Sequence, residues 1–297
     1  MRRTAAAVGR TLITLGVLIL LFAVYLLWGT GIYTSQQQHH LRQQFDAALH
    51  RVASTTTSTS TPNALGPTTT TAPPPNASLA AGDAVARIQI PKIGLDNIVV
   101  SGVGEDDLRK GPGHYPQTPL PGQAGNAAIA GHRTTFAHPF GNIDQLADGD
   151  VIMVQTLQGS FTYRVYAQLV VDPSDVAVLA PDPGRPATLT LTTCTPKYSA
   201  AQRLVVKAAL DSHTKPLPPP PHLPPPAKLT SLGLSGESGS LLPAFITGLI
   251  AAAVGVAWWL LFHRHPRWTN WLIGVIPFLV ALYFFFEYLA RVLPANY

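Results

Sequence analysis

The residue with the clearest capacity for chemistry is Cys194, the only cysteine in the 297-residue chain. It follows a strand-like run, 187–193, and precedes a Thr-Pro-Lys turn, while Arg203 lies just before a second apolar run, 204–210. Two strands joined by so short a loop place the thiol beside the guanidinium. A lone cysteine next to a cation is a candidate nucleophile, because positive charge favours the thiolate.

Attack on an amide carbonyl also needs a group that moves protons and a group that stabilises the oxyanion. The fixed donors of Arg203 suit the oxyanion. Three histidines compete for the proton-transfer role, namely His114, His132 and His138. Residue chemistry alone does not choose among them. A buried small hydrophobe at Cys194 and a structural ion pair at Arg203 are the competing interpretations.

The elements around these residues are short runs rich in Val, Ile, Thr and Tyr, separated by Pro and Gly. They span 85–90, 97–101, 126–130, 150–156, 160–171, 187–193 and 203–210. This spacing predicts an all-β, closed or nearly closed structure. Short helical turns are expected at 104–109 and 140–147, and 111–125 is interpreted as a Gly/Pro-rich loop. About 130 residues suffice for a core without a disulfide.

The positive charge of the chain lies outside this domain. Residues 84–213 carry ten Lys/Arg and eleven Asp/Glu, so the flanks hold the other ten basic and four acidic residues of the 20 and 15 in the chain. A nucleic-acid partner is therefore not predicted, since the basic balance belongs to the flanks.

Three apolar stretches indicate a membrane protein. The first, 11–29, follows Arg2, Arg3 and Arg10 and predicts an uncleaved signal anchor with a cytoplasmic N-terminus, 1–10. A cleaved signal peptide is the alternative. Two further spans, 241–262 and 271–290, form a predicted hairpin around a cytoplasmic turn, 263–270, and leave a tail, 291–297. This topology predicts a multi-pass protein of the cell membrane with residues 84–213 outside the cell.

Linkers connect these parts. Residues 30–83 are interpreted as a helical stalk, with a polar helix at 35–52, followed by a Thr/Ser/Pro-rich spacer. The apolar stripe of that helix, which includes Leu41 and Phe45, also suits self-association. Residues 214–240 form a proline-rich linker.

Two separated motifs give the domain a family resemblance. They are Thr190-Leu191-Thr192-Thr193-Cys194 with Arg203, and Ala130-Gly131-His132-Arg133. Together they resemble a sortase over residues 84–213, most like class E of actinobacteria, to which Gly111-Pro112-Gly113-His114-Tyr115-Pro116 and Cys194-Thr195-Pro196-Lys197-Tyr198 are also similar. The resemblance implies a closed eight-stranded β-barrel and selects His132 as the catalytic histidine beside Cys194 and Arg203.

The same resemblance implies a cysteine transpeptidase. Such an enzyme cuts a Leu-Ala-x-Thr-Gly or Leu-Pro-x-Thr-Gly sorting signal between Thr and Gly through a cysteine thioester. It then joins the Thr carboxyl to an amine of a peptidoglycan precursor of the lipid II type. Thr193 and Tyr115 are the candidate substrate-binding residues, Arg133 receives no role, and neither a metal nor a cofactor is expected.

Three other functions compete with this prediction. The C-terminal membrane segment resembles pilin-polymerising class C sortases, although residues 53–84 contain no Asp-Pro-aromatic lid motif. An L,D-transpeptidase requires a Ser-His-Gly-Cys arrangement, which Thr192-Thr193-Cys194 does not supply. A non-enzymatic, membrane-anchored binding or scaffold domain predicts a sluggish Cys194.

Overall fold

The computed structural model describes residues 2–57, 80–219, 234, 240–262 and 268–292. The chain forms two compact units, one of Met1–Gly29 with Ser238–Asn296 and one centred on Thr30–Glu237. Most of the spacer expected at 53–79, most of the linker expected at 214–240 and much of the turn expected at 263–270 lie outside the described residues.

The second unit contains a closed eight-stranded barrel. Its strands are β1 (Ala84–Ile90), β2 (Leu95–Ser101), β3 (Gly113–His114), β4 (Gly125–Ala130), β5 (Val151–Thr156), β6 (Gly159–Val171), β7 (Ala187–Thr195) and β8 (Gln202–Leu210). The order around the barrel is β1-β2-β3-β4-β7-β8-β6-β5. β2 pairs with β3 and β4 pairs with β7 in parallel, and the other neighbours are antiparallel. The predicted all-β, eight-stranded barrel is confirmed.

The strand that sequence analysis missed is β3, which lies in the segment interpreted as a Gly/Pro-rich loop. It has two residues, too few to show an alternating pattern. A Cβ atom at Gly113 would lie 2.2 Å from the carbonyl oxygen of Gly102, so the close pairing of β3 with β2 requires glycine there. Short helical turns at α3 (Glu105–Leu108) and at Ile143–Gln145 match the two expected positions.

Strand β7 is buried on both faces. Leu189 and Leu191 point into the barrel core. On the other face, the hydroxyls of Thr188 and Thr190 both donate to Oδ1 of Asn126 on β4, at 3.0 and 2.9 Å. Buried hydroxyls are tolerated because they have partners.

An N-terminal helix, α2 (Thr30–Thr57), packs against this barrel. Leu41 and Phe45 form an apolar cluster with Ile98 and Val100 of β2. The Gln38 side chain accepts from the Ile98 amide at 2.7 Å and donates to the Ile98 carbonyl at 2.9 Å, as a neighbouring strand would. The apolar stripe of the helix expected at 35–52 thus has a partner within the chain, on the barrel wall.

The first unit is helical. It comprises α1 (Arg2–Val24), a π-helical turn (Tyr25–Gly29), α4 (Leu241–Phe262) and α5 (Trp268–Ala290). By length and composition, Leu241–Phe262 and Leu272–Ala290 are apolar enough to cross a membrane, and the apolar stretch in α1, Leu12–Val24, is shorter. α4 and α5 pack together as the expected hairpin, with the rings of Trp258 and Phe278 5.4 Å apart.

Candidate active site

The ends of β7 and β8 bring Cys194 and Arg203 together. The two residues are direct partners in the antiparallel register of these strands. Directly opposed residues project from the same face of a sheet. The short loop expected from sequence therefore does pair Arg203 with Cys194 across neighbouring strands.

The end of β4 brings His132 to the same place. Ala130 pairs in parallel with Thr192. Beyond it, the Gly131 amide donates to the Thr192 carbonyl at 3.1 Å, and the Thr193 hydroxyl donates to the Gly131 carbonyl at 2.7 Å. With side chains alternating along each strand, His132 follows Ala130 just as Cys194 follows Thr192 on one face.

That face carries an apolar cluster distinct from the barrel core, here called the outer cluster. Its buried members are Leu108, Tyr115, Ala128, Ala130, Val178, Leu179, Val205 and Leu234. Ala130 lies two residues before His132, and Val205 lies two residues after Arg203. The three polar side chains therefore lie at the edge of the outer cluster. The side chains of this cluster are buried, so the thiol, the imidazole and the guanidinium lie in apolar surroundings that suit the cleavage of a peptide bond.

Arg133, for which the sequence predicts no role, bonds to the strand that carries Cys194. Its Nη1 donates to the Cys194 carbonyl at 3.1 Å and to Thr195 Oγ1 at 2.8 Å. Its Nη2 forms an ion pair with Asp144 at 3.2 Å. A guanidinium can fix several acceptors at once because its donors are rigid and coplanar. The position of Arg133 directly after His132 was the one sequence signal for this role.

Arg203 is bonded to three carbonyls and is 3% exposed. Its Nη1 donates to Ala200 and Gln202 at 2.9 and 3.1 Å, and its Nε donates to the Leu234 carbonyl at 3.1 Å. The Leu234 amide in turn donates to the Pro173 carbonyl at 2.7 Å. Leu234 belongs to the segment interpreted as a linker, and sequence analysis did not place it near the site.

Burial keeps the thiol and the imidazole neutral. Burial, more than the charge of Arg109, lowers the pKa of His132 to about 3. Burial also raises the pKa of the Cys194 thiol, against the opposing effect of Arg203 and then of Arg133. In this arrangement the pair is a thiol and an uncharged imidazole at neutral pH.

The two candidate substrate-binding residues are engaged within the protein. The Thr193 hydroxyl is the donor to Gly131 described above. Tyr115 is buried in the outer cluster, its hydroxyl lies 3.2 Å from Thr192 Oγ1, and burial raises its pKa. Both residues contact the strands that carry the site.

The other two histidines lie elsewhere. His114 is buried on β3, with Nε2 2.9 Å from the Pro119 carbonyl and 3.2 Å from Thr118 Oγ1. His138 is exposed in the loop after β4. Of the three, His132 is the one whose chain neighbours bond to β7 next to Cys194.

The barrel corresponds to a known family. A family model described as Sortase domain matches residues 88–211, from β1 to the residue after β8. Residues 88–211 therefore form a domain of the sortase family, as the two motifs predicted.

Two of the curated relatives that match this chain are sortases named SrtE. The chain is 32% identical over 214 residues to sortase SrtE1 of Streptomyces coelicolor, a match that covers 67% of this chain and 55% of that protein. It is 27% identical over 213 residues to SrtE2 of the same organism, covering 69% and 81%. The chain thus spans about half the length of SrtE1.

Solved structures of sortase E are also similar. The Streptomyces avermitilis enzyme is 39% identical, with 46% of this chain and 93% of that chain covered and a TM-score of 0.40. Sortase E1 of Streptomyces coelicolor, solved with a tripeptide in its active site, is 32% identical, with coverages of 47% and 98% and a TM-score of 0.42.

Proposed function

We propose that this chain is a membrane-anchored cysteine transpeptidase that cleaves a sorting signal and transfers the acyl part to an amine. The observation that carries the proposal is the meeting of Cys194, Arg203 and His132 on one face, at the edge of the outer cluster. The sortase family and the class E relatives support the reaction type.

The first step forms a thioester. The Cys194 sulfur, as thiolate, attacks the carbonyl carbon between Thr and Gly of the signal, and Arg203 donates hydrogen bonds to the oxyanion that develops. The carbon–nitrogen bond then breaks, and protonated His132 gives its proton to the departing Gly amine. The thiol proton reaches His132 when the ion pair forms, so the step is balanced.

The second step regenerates the thiol. An incoming amine attacks the thioester carbonyl and loses a proton to His132, and the carbon–sulfur bond breaks. Arg203 again faces the oxyanion. Cys194 leaves as a thiolate and recovers its proton from His132, while the new amide carries the sorted protein. We propose that the natural amine belongs to a peptidoglycan precursor of the lipid II type.

The setting of the reaction is the outer face of a cell membrane. α4 and α5 support membrane attachment by length and composition. The arginines before the first apolar stretch support a cytoplasmic N-terminus and an extracellular barrel. Because the two motifs of the chain resemble those of class E sortases, we propose a Leu-Ala-x-Thr-Gly signal, with Leu-Pro-x-Thr-Gly as the second candidate.

The test is peptide turnover by the full chain in detergent. Mass spectrometry of the chain with each signal peptide should show an adduct on Cys194 that disappears, with a new amide product, when triglycine is added. Cys194→Ala should abolish both, because no other thiol exists in the chain. His213→Gln, at an exposed position beyond β8, is the matched control and should retain both. Turnover by Cys194→Ala, or no adduct on the unaltered chain with either peptide, would overturn the proposal.

A further inference from the structure

The loop after β4 covers His132 with an aromatic ring. The Phe136 ring centroid lies 4.9 Å from that of the imidazole, and Phe136 is 2% exposed. Within the described residues, neither ring nitrogen of His132 has a hydrogen-bond partner. Ring packing, rather than a hydrogen bond, is what fixes the imidazole in this structure.

The covering loop adopts a backbone conformation that needs outside support. Phe136, Ala137 and His138 have φ values of 50°, 60° and 38°, in the left-handed region that non-glycine residues avoid. Each such residue costs about 1–2 kcal/mol. Three in succession persist only where neighbouring groups determine the conformation.

The first turn of α2 supplies part of that support. The Phe136 amide donates to Thr30 Oγ1 at 3.1 Å, and Thr30 is the first residue of the helix. One turn later, the Thr34 hydroxyl donates to the Arg109 carbonyl at 2.9 Å. Both threonines are buried, so these bonds are shielded from water.

Arg109 links the helix to the ring. Its guanidinium carbon lies 5.1 Å from the Tyr33 ring centroid and 5.3 Å from that of Phe136. Cations within about 6 Å of an aromatic centroid attract the ring. The Asp106 carboxylate lies 3.6 Å from Nη1 of this cation. α2, Arg109, Phe136 and His132 therefore form a continuous series of contacts.

We propose that Phe136 is a positioning residue for His132, and that the first turn of α2 sets Phe136 through Thr30 and Arg109. The proposal deepens the proposed function and rests on it for the role of His132. It makes α2 a component of the catalytic unit instead of a spacer.

The physical consequence is a link between helix docking and catalytic geometry. Without the Phe136 ring, the imidazole gains freedom to rotate and access to water. Water access raises its pKa toward the ordinary value of about 6.5. Rotational freedom lowers the rate of the chemical step, because proton transfer requires a fixed geometry, while peptide binding at the outer cluster is unaffected.

The experiment compares variants of the full chain in detergent. The imidazole of His132 is followed by NMR as a function of pH, with its signal assigned by His132→Gln, and kcat and KM are measured with the signal peptide that the chain turns over. Phe136→Ala should raise the His132 pKa by about two units and lower kcat about tenfold with KM nearly constant. Phe136→Leu should recover most of both effects.

A matched pair isolates the helix. Thr30→Val removes the acceptor for the Phe136 amide and should shift pKa and kcat in the same direction, with kcat about threefold lower. Ser35→Ala removes an exposed hydroxyl of the same helix, which donates to the Gly31 carbonyl at 2.8 Å, and should change neither.

The outcomes separate the two proposals. An unchanged His132 titration in Phe136→Ala overturns the positioning role, and if that variant does not fold, an unchanged titration in Thr30→Val does so. Equal effects of Thr30→Val and Ser35→Ala overturn the role of the helix. A shifted titration in a chain that turns over no peptide supports the positioning role and contradicts the proposed transpeptidase.

Discussion

The ends of β3 and β4 each carry a buried histidine, and the surroundings of the two side chains differ. His114 on β3 has its Nε2 beside the Pro119 carbonyl and the Thr118 hydroxyl. His132, just beyond β4, has an aromatic ring against it, and its nitrogens have no partner within the described part of the chain. Burial lowers the pKa of both, to about 4 and about 3.

The difference separates a structural histidine from one available for chemistry. A carbonyl acceptor fixes the tautomer of His114 and occupies the nitrogen that faces it. A buried polar group without a partner costs about 1–3 kcal/mol of stability, so the presence of one near Cys194 points to use rather than to packing. Burial and a perturbed pKa alone would not have distinguished the two residues.

The sharpest test of this comparison exchanges each ring for an amide. His132→Gln should lower kcat/KM for the signal peptide about a thousandfold, because the proton donor to the leaving amine is lost. His114→Gln should change it less than about threefold, since its ring does not reach the reacting atoms. Both are measured by peptide turnover on the full chain in detergent. Equal losses in the two variants would contradict the assignment.

Lowering the pH should destabilise the folded chain through both buried histidines. The unfolded chain takes up a proton on each below its ordinary pKa of 6.5, whereas the folded chain does so only near pH 4 for His114 and pH 3 for His132. Unfolding is therefore favoured as pH falls below 6.5. The barrel should lose about 2 kcal/mol of unfolding free energy per histidine on going from about pH 7.5 to about pH 5.

Pulse proteolysis in urea, on the full chain in detergent, measures this loss. His114→Gln should remove the part of the pH dependence that comes from His114 and leave the part that comes from His132. A stability that is flat between these pH values would show that the histidines are hydrated in the folded chain.

The smallest expected effect concerns the support of His114. The Thr118 hydroxyl donates to the Tyr115 carbonyl at 2.8 Å and accepts from the Ala128 amide at 3.1 Å, as well as lying beside the imidazole. Thr118→Val should therefore cost about 1–2 kcal/mol of unfolding free energy, with kcat/KM nearly unchanged. Thr118→Ser keeps the hydroxyl and should restore the stability. A large loss of turnover at normal stability would contradict this expectation, because it would make the end of β3 part of the catalytic site.

Local patterns in the sequence predicted the parts of the molecule that local rules control. The alternating runs located seven of the eight strands, and the short loop after Cys194 placed Arg203 opposite the thiol. His132 was chosen by family resemblance, because nothing in its own neighbourhood separates it from His114. The two-residue strand β3 was not predicted, because two residues are too few to show an alternating pattern.

The contacts that were not predicted join residues distant in the chain. Arg133 meets the Cys194 carbonyl across two strands, Thr30 meets Phe136 over 106 positions, and Leu234 meets Arg203 over 31. Each of these contacts requires the folded barrel to bring together residues that lie far apart in the sequence. A strand or helix period gives no information on which backbone carbonyl a guanidinium will find.

The carbonyl of Leu234 has a thermodynamic consequence for any ligand of Arg203. Because both groups belong to one polypeptide, this carbonyl competes for the Nε donor at an effective concentration that does not depend on the concentration of the enzyme. A ligand that accepts a hydrogen bond from Nε has to displace this carbonyl. The observed dissociation constant of that ligand rises by the inverse of the fraction of molecules in which the Leu234 bond is broken. Diluting the enzyme does not change this increase in the dissociation constant. A peptide whose side chain fills the apolar position of the Leu234 side chain offsets the increase.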